Sequence, residues 1–229
     1  MSLPNVIAID GPAASGKSTI GSRLAKRWDY LYFDTGLMYR AVTWLVLARG
    51  LSPLDEEQVT ALAEEIDIDV QTPSRDDGRD YDVLVDGQDI TWKIRTPEVD
   101  AHVSVISAFP GVRRALTSQQ RRIGGRGEVV MVGRDIGTVV LPEAELKIFL
   151  DASVEERATR RFNQRRERGE QVEYQEIVRV MKKRDQIDSS REVAPLRAAS
   201  DAVVINTDNL TIDEVVDKIA AIAARGGED

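Results

Sequence analysis

Gly11-Pro12-Ala13-Ala14-Ser15-Gly16-Lys17-Ser18 fits the pattern GxxxxGK[ST], with Thr19 immediately after it. Each position suits the handling of polyphosphates. Glycines let the backbone approach an anion, successive N–H groups and a helix N-terminus point at it, and Lys17 adds a movable positive charge. The Ser18 hydroxyl is the expected Mg²⁺ ligand of such a loop. An ordinary glycine-rich turn is the competing reading, and the context argues against it. The apolar run Val6 to Ile9 precedes the loop directly, and Ile20, Leu24, Ala25 and Trp28 recur at helical spacing directly after it. Strand, loop, helix is the setting the motif requires. An enzyme and a nucleotide switch both remain open, although no Asn-Lys-x-Asp segment is present to read guanine.

Other charged residues fall at places where a ligand could meet them. Arg134 and Asp135, inside Gly133-Arg134-Asp135-Ile136-Gly137-Thr138, follow the apolar run Val129 to Val132. Open α/β sheets place ligands just beyond the carboxyl ends of their strands. A structural Arg–Asp pair fits that position equally well, but the flanking glycines favour close backbone approach and hence binding. Arg184, Asp188 and Arg191 are spaced i, i+4 and i+7, which predicts one helix face, with Ile177, Val180, Met181 and Ile187 supplying apolar surface. Intrahelical salt bridging would explain that spacing too. From Arg157 to Arg191 there are 11 basic residues against 6 acidic ones, in a chain whose net charge is −8. That stretch reads either as a binding surface or as a solvated helix face. The single histidine, His102, reads as a packing residue in an apolar-periodic helix.

The elements that must position these groups alternate. Tyr30 to Phe33 predicts a second short strand ending at Asp34, and Met38 to Arg49 a helix stopped by Gly50. Val129 to Val132, Leu146 to Leu150 and Ala202 to Ile205 are further buried-strand candidates separated mostly by helical patterns, which implies a parallel sheet. The last helix opens with Thr211 and Glu214 in capping-box spacing. One stretch breaks the alternation: Ile66, Ile68 and Val70 alternate with aspartates, and Tyr81, Val83 and Val85 alternate again before Asp86-Gly87. That is a hairpin pattern with a type I′ turn, ending near Thr96-Pro97, an N-cap followed by proline at the first helical position.

Composition narrows the classes. The 229 residues, 42% hydrophobic and 31% charged, have globular balance. The absence of cysteine excludes disulfides, thiolate nucleophiles and Cys-based zinc sites. The acidic net charge argues against stable nucleic-acid binding. No apolar run approaches the ~20 residues of a membrane span, and the N-terminus does not read as a signal peptide, so no membrane association and a cytoplasmic location are expected. Without heptads or long exposed apolar runs, a monomer is expected.

Ile9 to Thr19, Asp34-Thr35-Gly36 with Tyr39-Arg40, Gly133 to Thr138, and Arg184-Asp185 through Asp188 and Arg191 to Ala194-Pro195-Leu196 together resemble the bacterial cytidylate kinases, in the same order and from Ile7 to about Leu196. The resemblance implies a P-loop NTPase-type parallel sheet flanked by helices, with an inserted antiparallel NMP-binding module and a short helical lid. It implies a core of residues 1–65 and 97–229, an insertion at 66–96 and a lid at about 154–169. It also implies transfer of the γ-phosphoryl group of ATP, with Mg²⁺, to CMP or dCMP. Another small phosphorylated acceptor, or a regulatory switch, is the alternative.

By the same resemblance, Gly11, Pro12, Ala13, Ala14, Ser15, Gly16, Lys17, Ser18 and Thr19 hold ATP, with Arg157, Arg160 and Arg161 facing its phosphates. Lys17, Arg134 and Arg184 act on the transferring group. Arg40, Arg134 and Arg191 contact the acceptor phosphate, Ser104, Arg113 and Asp135 read cytosine, Asp188 meets the sugar, and Thr35 and Tyr39 belong to the acceptor site. Asp34 reads either as a residue behind the Mg²⁺ ion or as a loop cap. Ser18 stands where some family members have glycine, and it restores the hydroxyl of the general P-loop pattern.

Overall fold

The computed structural model describes residues 3–225. Five parallel strands form the main sheet: β1 (Val6–Asp10), β2 (Leu31–Asp34), β6 (Val129–Gly133), β7 (Leu146–Asp151) and β8 (Val203–Asn206), in the order β2-β6-β1-β7-β8. The central strand β1 pairs Ile7 with Val130 on one side and with Leu146 on the other. All five residues of β6 are buried, as expected of a strand covered on both faces. From β1 the chain first moves to β2 on one side and later to β7 and β8 on the other. The crevice at the carboxyl end of β1 therefore lies at a topological switch point, where such sheets bind ligands.

Helices α1 (Lys17–Trp28) and α8 (Ile212–Arg225) pack together and are tied by the ion pairs Arg23–Asp213 and Arg27–Asp217. The capping box at Thr211 and Glu214 is present, with Glu214 N donating to Thr211 Oγ1 at 3.2 Å and Thr211 N to Glu214 Oε2 at 2.8 Å. Helices α2 (Gly36–Ala48), α3 (Glu56–Glu65), α4 (Pro97–Ile106) and α5 (Pro110–Gly124) lead from β2 to β6. Between α3 and α4 lies the antiparallel sheet β3 (Ile68–Gln71), β4 (Asp82–Val85) and β5 (Gln88–Asp89). Asp86 and Gly87 take φ of +49° and +79°, the left-handed pair that a type I′ turn needs. Thr96 caps α4 by accepting from Val99 N at 3.4 Å.

The small sheet does not form a core of its own. Ile68, Val70 and Val83 are buried in the same cluster as Ile7, Ile9 and Phe33. Each such side chain stabilises the fold by about 1.5 to 3 kcal/mol relative to exposure. Arg79 staples the sheet's loops, its buried guanidinium meeting Asp77 at 2.7 Å, Asp82 at 2.7 Å and Asp89 at 2.8 Å.

Helices α6 (Val154–Glu167) and α7 (Tyr174–Ser190) form a hairpin held by a separate small cluster of Ala158, Ile177 and Met181, against which Phe162, Tyr174 and the loop residue Ala14 pack. Of the four residues expected to supply apolar surface on α7, Ile177 and Met181 are buried and the other two are not. Val180 and Ile187 are 54% and 42% exposed, because the short α6 covers only the Ile177–Met181 side. Arg191 does not continue the helix either. It caps α7 in an extended conformation (φ −57°, ψ 136°), and its Nη2 donates to Ala194 O at 2.8 Å as the chain turns toward Pro195. His102 is half-exposed rather than packed in the core, with Nδ1 2.8 Å from Glu98 O.

Candidate active site

The loop from Gly11 to Gly16 connects the end of β1 to the first turn of α1. Gly11, at φ +149°, passes so close to β7 that a Cβ there would lie 2.1 Å from Leu150 O. No other residue could hold the loop at that distance. Lys17 is buried and folds back over the loop, donating to Pro12 O at 2.6 Å and to Ser15 Oγ at 3.3 Å. Burial, and then the nearby Arg134, hold its amine well below the usual lysine range. An arriving polyanion would offset both influences.

Ser18 Oγ donates to Asp34 Oδ2 at 3.0 Å, and Asp34 Oδ1 accepts from Gly36 N at 2.9 Å. Asp34 thus holds the first N–H of α2 and faces the loop hydroxyl at once. Among the described residues no cluster of three metal-ligating side chains occurs. Ser18 and Asp34 therefore suit a cation that takes most of its ligands from phosphate and water, as Mg²⁺ does beside nucleotides.

Across the crevice, Arg113 on α5 and Asp135 after β6 form a buried pair, Nη2 to Oδ2 at 2.6 Å, with side chains only 5% and 8% exposed. Arg113 Nη1 donates to Ser107 O at 3.3 Å, and the guanidinium lies 5.5 Å from the Tyr39 ring. Burial raises the pKa of the Tyr39 phenol. Beside this pair Arg134 Nε donates to Asp188 Oδ2 at 3.0 Å, while Arg191 Nη1 lies 3.6 Å from Asp188 Oδ1. Asp188 is thereby held between the arginine that follows β6 and the one that ends α7. The Nε atoms of both Arg113 and Arg191 are buried without a hydrogen-bond partner. Buried polar atoms are rarely left so, and two such donors in one place mark a site shaped for an acceptor-bearing ligand.

Arg184 on α7 stays exposed to solvent, yet the protein crowded around it and then Arg134 lower its pKa. Neither it nor Lys17 nor Arg161 has an ion-pair partner among the described residues; Arg161 donates only to Gln164 Oε1, at 2.7 Å. Arg157 is buried behind the loop, bound to both oxygens of Asp185 at 3.1 and 2.6 Å and to Ala13 O at 3.2 Å. Arg160 reaches Thr207 O at 2.6 Å. Arg40 is committed to Asp100 and, at 2.9 Å, to Ile94 O. Thr35 is buried with its hydroxyl on Val132 O at 3.1 Å. Ser104 is exposed on α4, its carbonyl accepting from Ser107 Oγ at 3.1 Å.

The sequence pattern does not single out Asp10 or Arg121. Asp10, at the end of β1, is buried and accepts from Ile136 N and Gly137 N, both at 2.8 Å and across 126 and 127 residues. Arg121 on α5 donates to Val139 O at 2.7 Å and Val140 O at 2.9 Å. Only the position of a carboxylate directly ahead of the phosphate loop could have drawn attention to Asp10.

The parallel sheet, the loop at its switch point and the unpaired cations around it define the class, a P-loop nucleotide-binding fold. A sequence profile for the family described as cytidylate kinase matches residues 7–225. Cytidylate kinase of Roseiflexus castenholzii is 49% identical over 230 residues, covering 100% of this chain and 97% of that one. Cytidylate kinase of Carboxydothermus hydrogenoformans is 50% identical over 219 residues, covering 96% and 97%. The chain belongs to the cytidylate kinase family, whose members are ATP-dependent phosphotransferases. An uncharacterised protein from Eubacterium ventriosum shares the fold, with a TM-score of 0.50 at 12% identity over 95% of this chain and 97% of that one.

Proposed function

We propose that this chain transfers the γ-phosphoryl group of ATP to CMP and dCMP, giving ADP and CDP or dCDP. The observation that carries this reading is the buried Arg113–Asp135 pair at the crevice. Arg113 engages Oδ2 of Asp135, and Oδ1 takes no hydrogen bond among the described residues. A carboxylate oxygen accepts from the exocyclic amine of cytosine, and a guanidinium donates to the ring carbonyl and ring nitrogen. Uracil would set a carbonyl against that carboxylate with no hydrogen between them, at a cost of about 1 to 3 kcal/mol or more.

An acceptor phosphate carries roughly −1.5 to −2 charge at neutral pH, so its oxygen is already nucleophilic. No general base is required. The work left to the protein is to hold two polyanions in line and to neutralise charge on the transferring group. Lys17 and the backbone of Gly11 to Thr19 serve the donor phosphates. Arg134 and Arg191, with Arg40 once released from Asp100, serve the acceptor phosphate, and Asp188 serves the sugar. Arg184, without an ion-pair partner among the described residues, serves the transferring group. Ser18, backed by Asp34, would hold Mg²⁺, which supplies charge neutralisation at the phosphate oxygens when bound. Residues 66–96 form the acceptor-side insertion and residues 154–169 the lid, with Arg161 facing the donor phosphates and Arg157 supporting the loop from behind. The lid helix shares its small core with α7 and with Ala14 of the loop, and Arg157 bonds Ala13 O, so movement of the lid would be felt directly at the phosphate loop.

The test is diphosphate formation from CMP, dCMP, UMP, AMP and GMP with ATP and Mg²⁺. A strong preference for CMP and dCMP is expected. Nucleotide binding without turnover of any monophosphate would refute the kinase reading and favour a switch.

A further inference from the structure

The acceptor-reading segment is not supported by β6 alone. After Gly133 the chain enters a single π-helical turn, Ile136–Val140, closed by Val140 N donating to Asp135 O at 3.1 Å and Leu141 N to Ile136 O at 2.7 Å. Such turns are uncommon and leave free N–H groups at the start and free carbonyls at the end. Here both ends are occupied from outside. Asp10 accepts the N–H groups of Ile136 and Gly137, and Arg121 donates to the carbonyls of Val139 and Val140. A carboxylate at the positive end and a guanidinium at the negative end also match the dipole of the turn.

The packing around the turn leaves little room for adjustment. A Cβ on Gly133 would lie 2.6 Å from Ile136 Cδ1 and 2.7 Å from Thr35 Oγ1, and one on Gly137 would lie 3.2 Å from Lys147 Cδ. Arg134 and Asp135 sit immediately before this turn, and Asp10 sits immediately before Gly11 of the phosphate loop. One carboxylate thus joins the strand that carries the donor loop to the segment that carries the acceptor-reading residues.

We propose that Asp10 and Arg121 are positioning residues for cytidylate recognition, clamping the Ile136–Val140 turn so that Asp135 and Arg134 stand in register with the phosphate loop. Both side chains act through the turn's backbone, to which they are hydrogen-bonded. This inference rests on the reading of Asp135 as the cytosine reader. Once the clamp is loosened, the geometry of Asp135 and Arg134 spreads, and acceptor binding weakens together with discrimination between CMP and UMP. Donor binding, carried by the loop's own backbone and Lys17, changes less.

The experiment measures KM for CMP, KM for ATP and the CMP-to-UMP ratio of kcat/KM in wild type, Asp10→Asn, Arg121→Ala and Arg121→Lys. Misplacing a recognition group by an ångström costs up to about a hundredfold, so Asp10→Asn should raise KM for CMP about tenfold or more and lower the CMP-to-UMP ratio. Arg121→Ala should act in the same direction, with partial rescue by lysine. Loss of folded protein alone would lower apparent kcat and leave both KM values and the ratio unmoved. If Asp10→Asn does not fold, the exposed Arg121 carries the test. Unchanged KM for CMP and an unchanged ratio in the folded variants would overturn the clamp. A wild type that does not discriminate CMP from UMP would instead overturn the reading of Asp135.

Discussion

Asp135→Asn isolates the charge of the proposed cytosine reader while keeping its shape. Alanine would be a poorer probe. Removing one member of a buried ion pair costs about 3 to 5 kcal/mol, and Arg113, 5% exposed, would be left without its carboxylate. The asparagine oxygen still accepts from Arg113 Nη2, and Arg113 also keeps its bond to Ser107 O. The variant should therefore fold. What changes is the atom presented to the base. The Oδ1 side, proposed to accept from the cytosine amine, can become an amide N–H₂ that would donate to the carbonyl of uracil. Hydrogen bonds to charged groups contribute about 1.5 to 3 kcal/mol, so kcat/KM for CMP should fall by roughly 10- to 150-fold. UMP should gain, or lose far less, because an unpaired carbonyl–carboxylate contact is relieved. The assay is a coupled ADP-release measurement of kcat/KM for CMP and UMP, with urea unfolding alongside to confirm the fold. A CMP-to-UMP ratio within about twofold of wild type, in folded protein, would refute the assignment of Asp135.

Three further outcomes are expected. Lys17→Ala should lower kcat by about 10² to 10³, the range seen when one preorganised donor to developing charge is removed. Its melting temperature should change little, because among the described residues the Lys17 amine bonds only to Pro12 O and Ser15 Oγ; equal loss of activity and stability would contradict its role. Asp34→Asn should raise the Mg²⁺ concentration needed for half-maximal turnover by about tenfold or more, as loss of partners behind a metal ligand does. An unchanged Mg²⁺ titration would remove Ser18 and Asp34 from the cation site. The Asp10 carboxyl is pushed up from 3.8 to about 6, chiefly by burial and against the pull of two backbone N–H groups. With a folded pKa above the unfolded one, its contribution to stability is fully present below about pH 3.8 and lost by about pH 6, at most about 3 kcal/mol. Asp10→Asn should therefore lose less stability than wild type between about pH 4 and pH 6, and parallel pH profiles in urea unfolding would count against the shift.

The phosphate loop was legible because its requirements are local. Glycine freedom, a lysine and a hydroxyl at fixed spacing, and a strand-to-helix setting all lie within about one turn of chain. The strand alternation, the Asp86-Gly87 turn and the caps at Thr96 and Thr211 were readable for the same reason, since φ preferences and side-chain-to-backbone bonds act over a few residues. On the acceptor side, position beyond a strand end and flanking glycines pointed to Arg134 and Asp135, and the roles of the other residues came from family resemblance alone. Spacing alone put Arg184, Asp188 and Arg191 on one face, whereas α7 stops at Ser190 and Arg191 turns back toward Ala194 to meet Asp188 from beyond the helix end.

Only the tertiary structure decided which charges pair and which remain free. Asp135 meets Arg113 across 22 residues, Asp188 meets Arg134 across 54, and Asp10 meets the backbone of Ile136 and Gly137 across 126 and 127. No periodicity records such partners, because each depends on how α5, α7 and the π-helical turn pack around the end of β1. The same packing leaves Lys17 and Arg184 without a direct ion-pair partner among the described residues. The sequence determines that phosphate can be bound at the Gly11–Ser18 loop. The packing of distant elements determines what stands opposite it, since the desolvation that gives buried charges their selectivity exists only once the chain has closed around them.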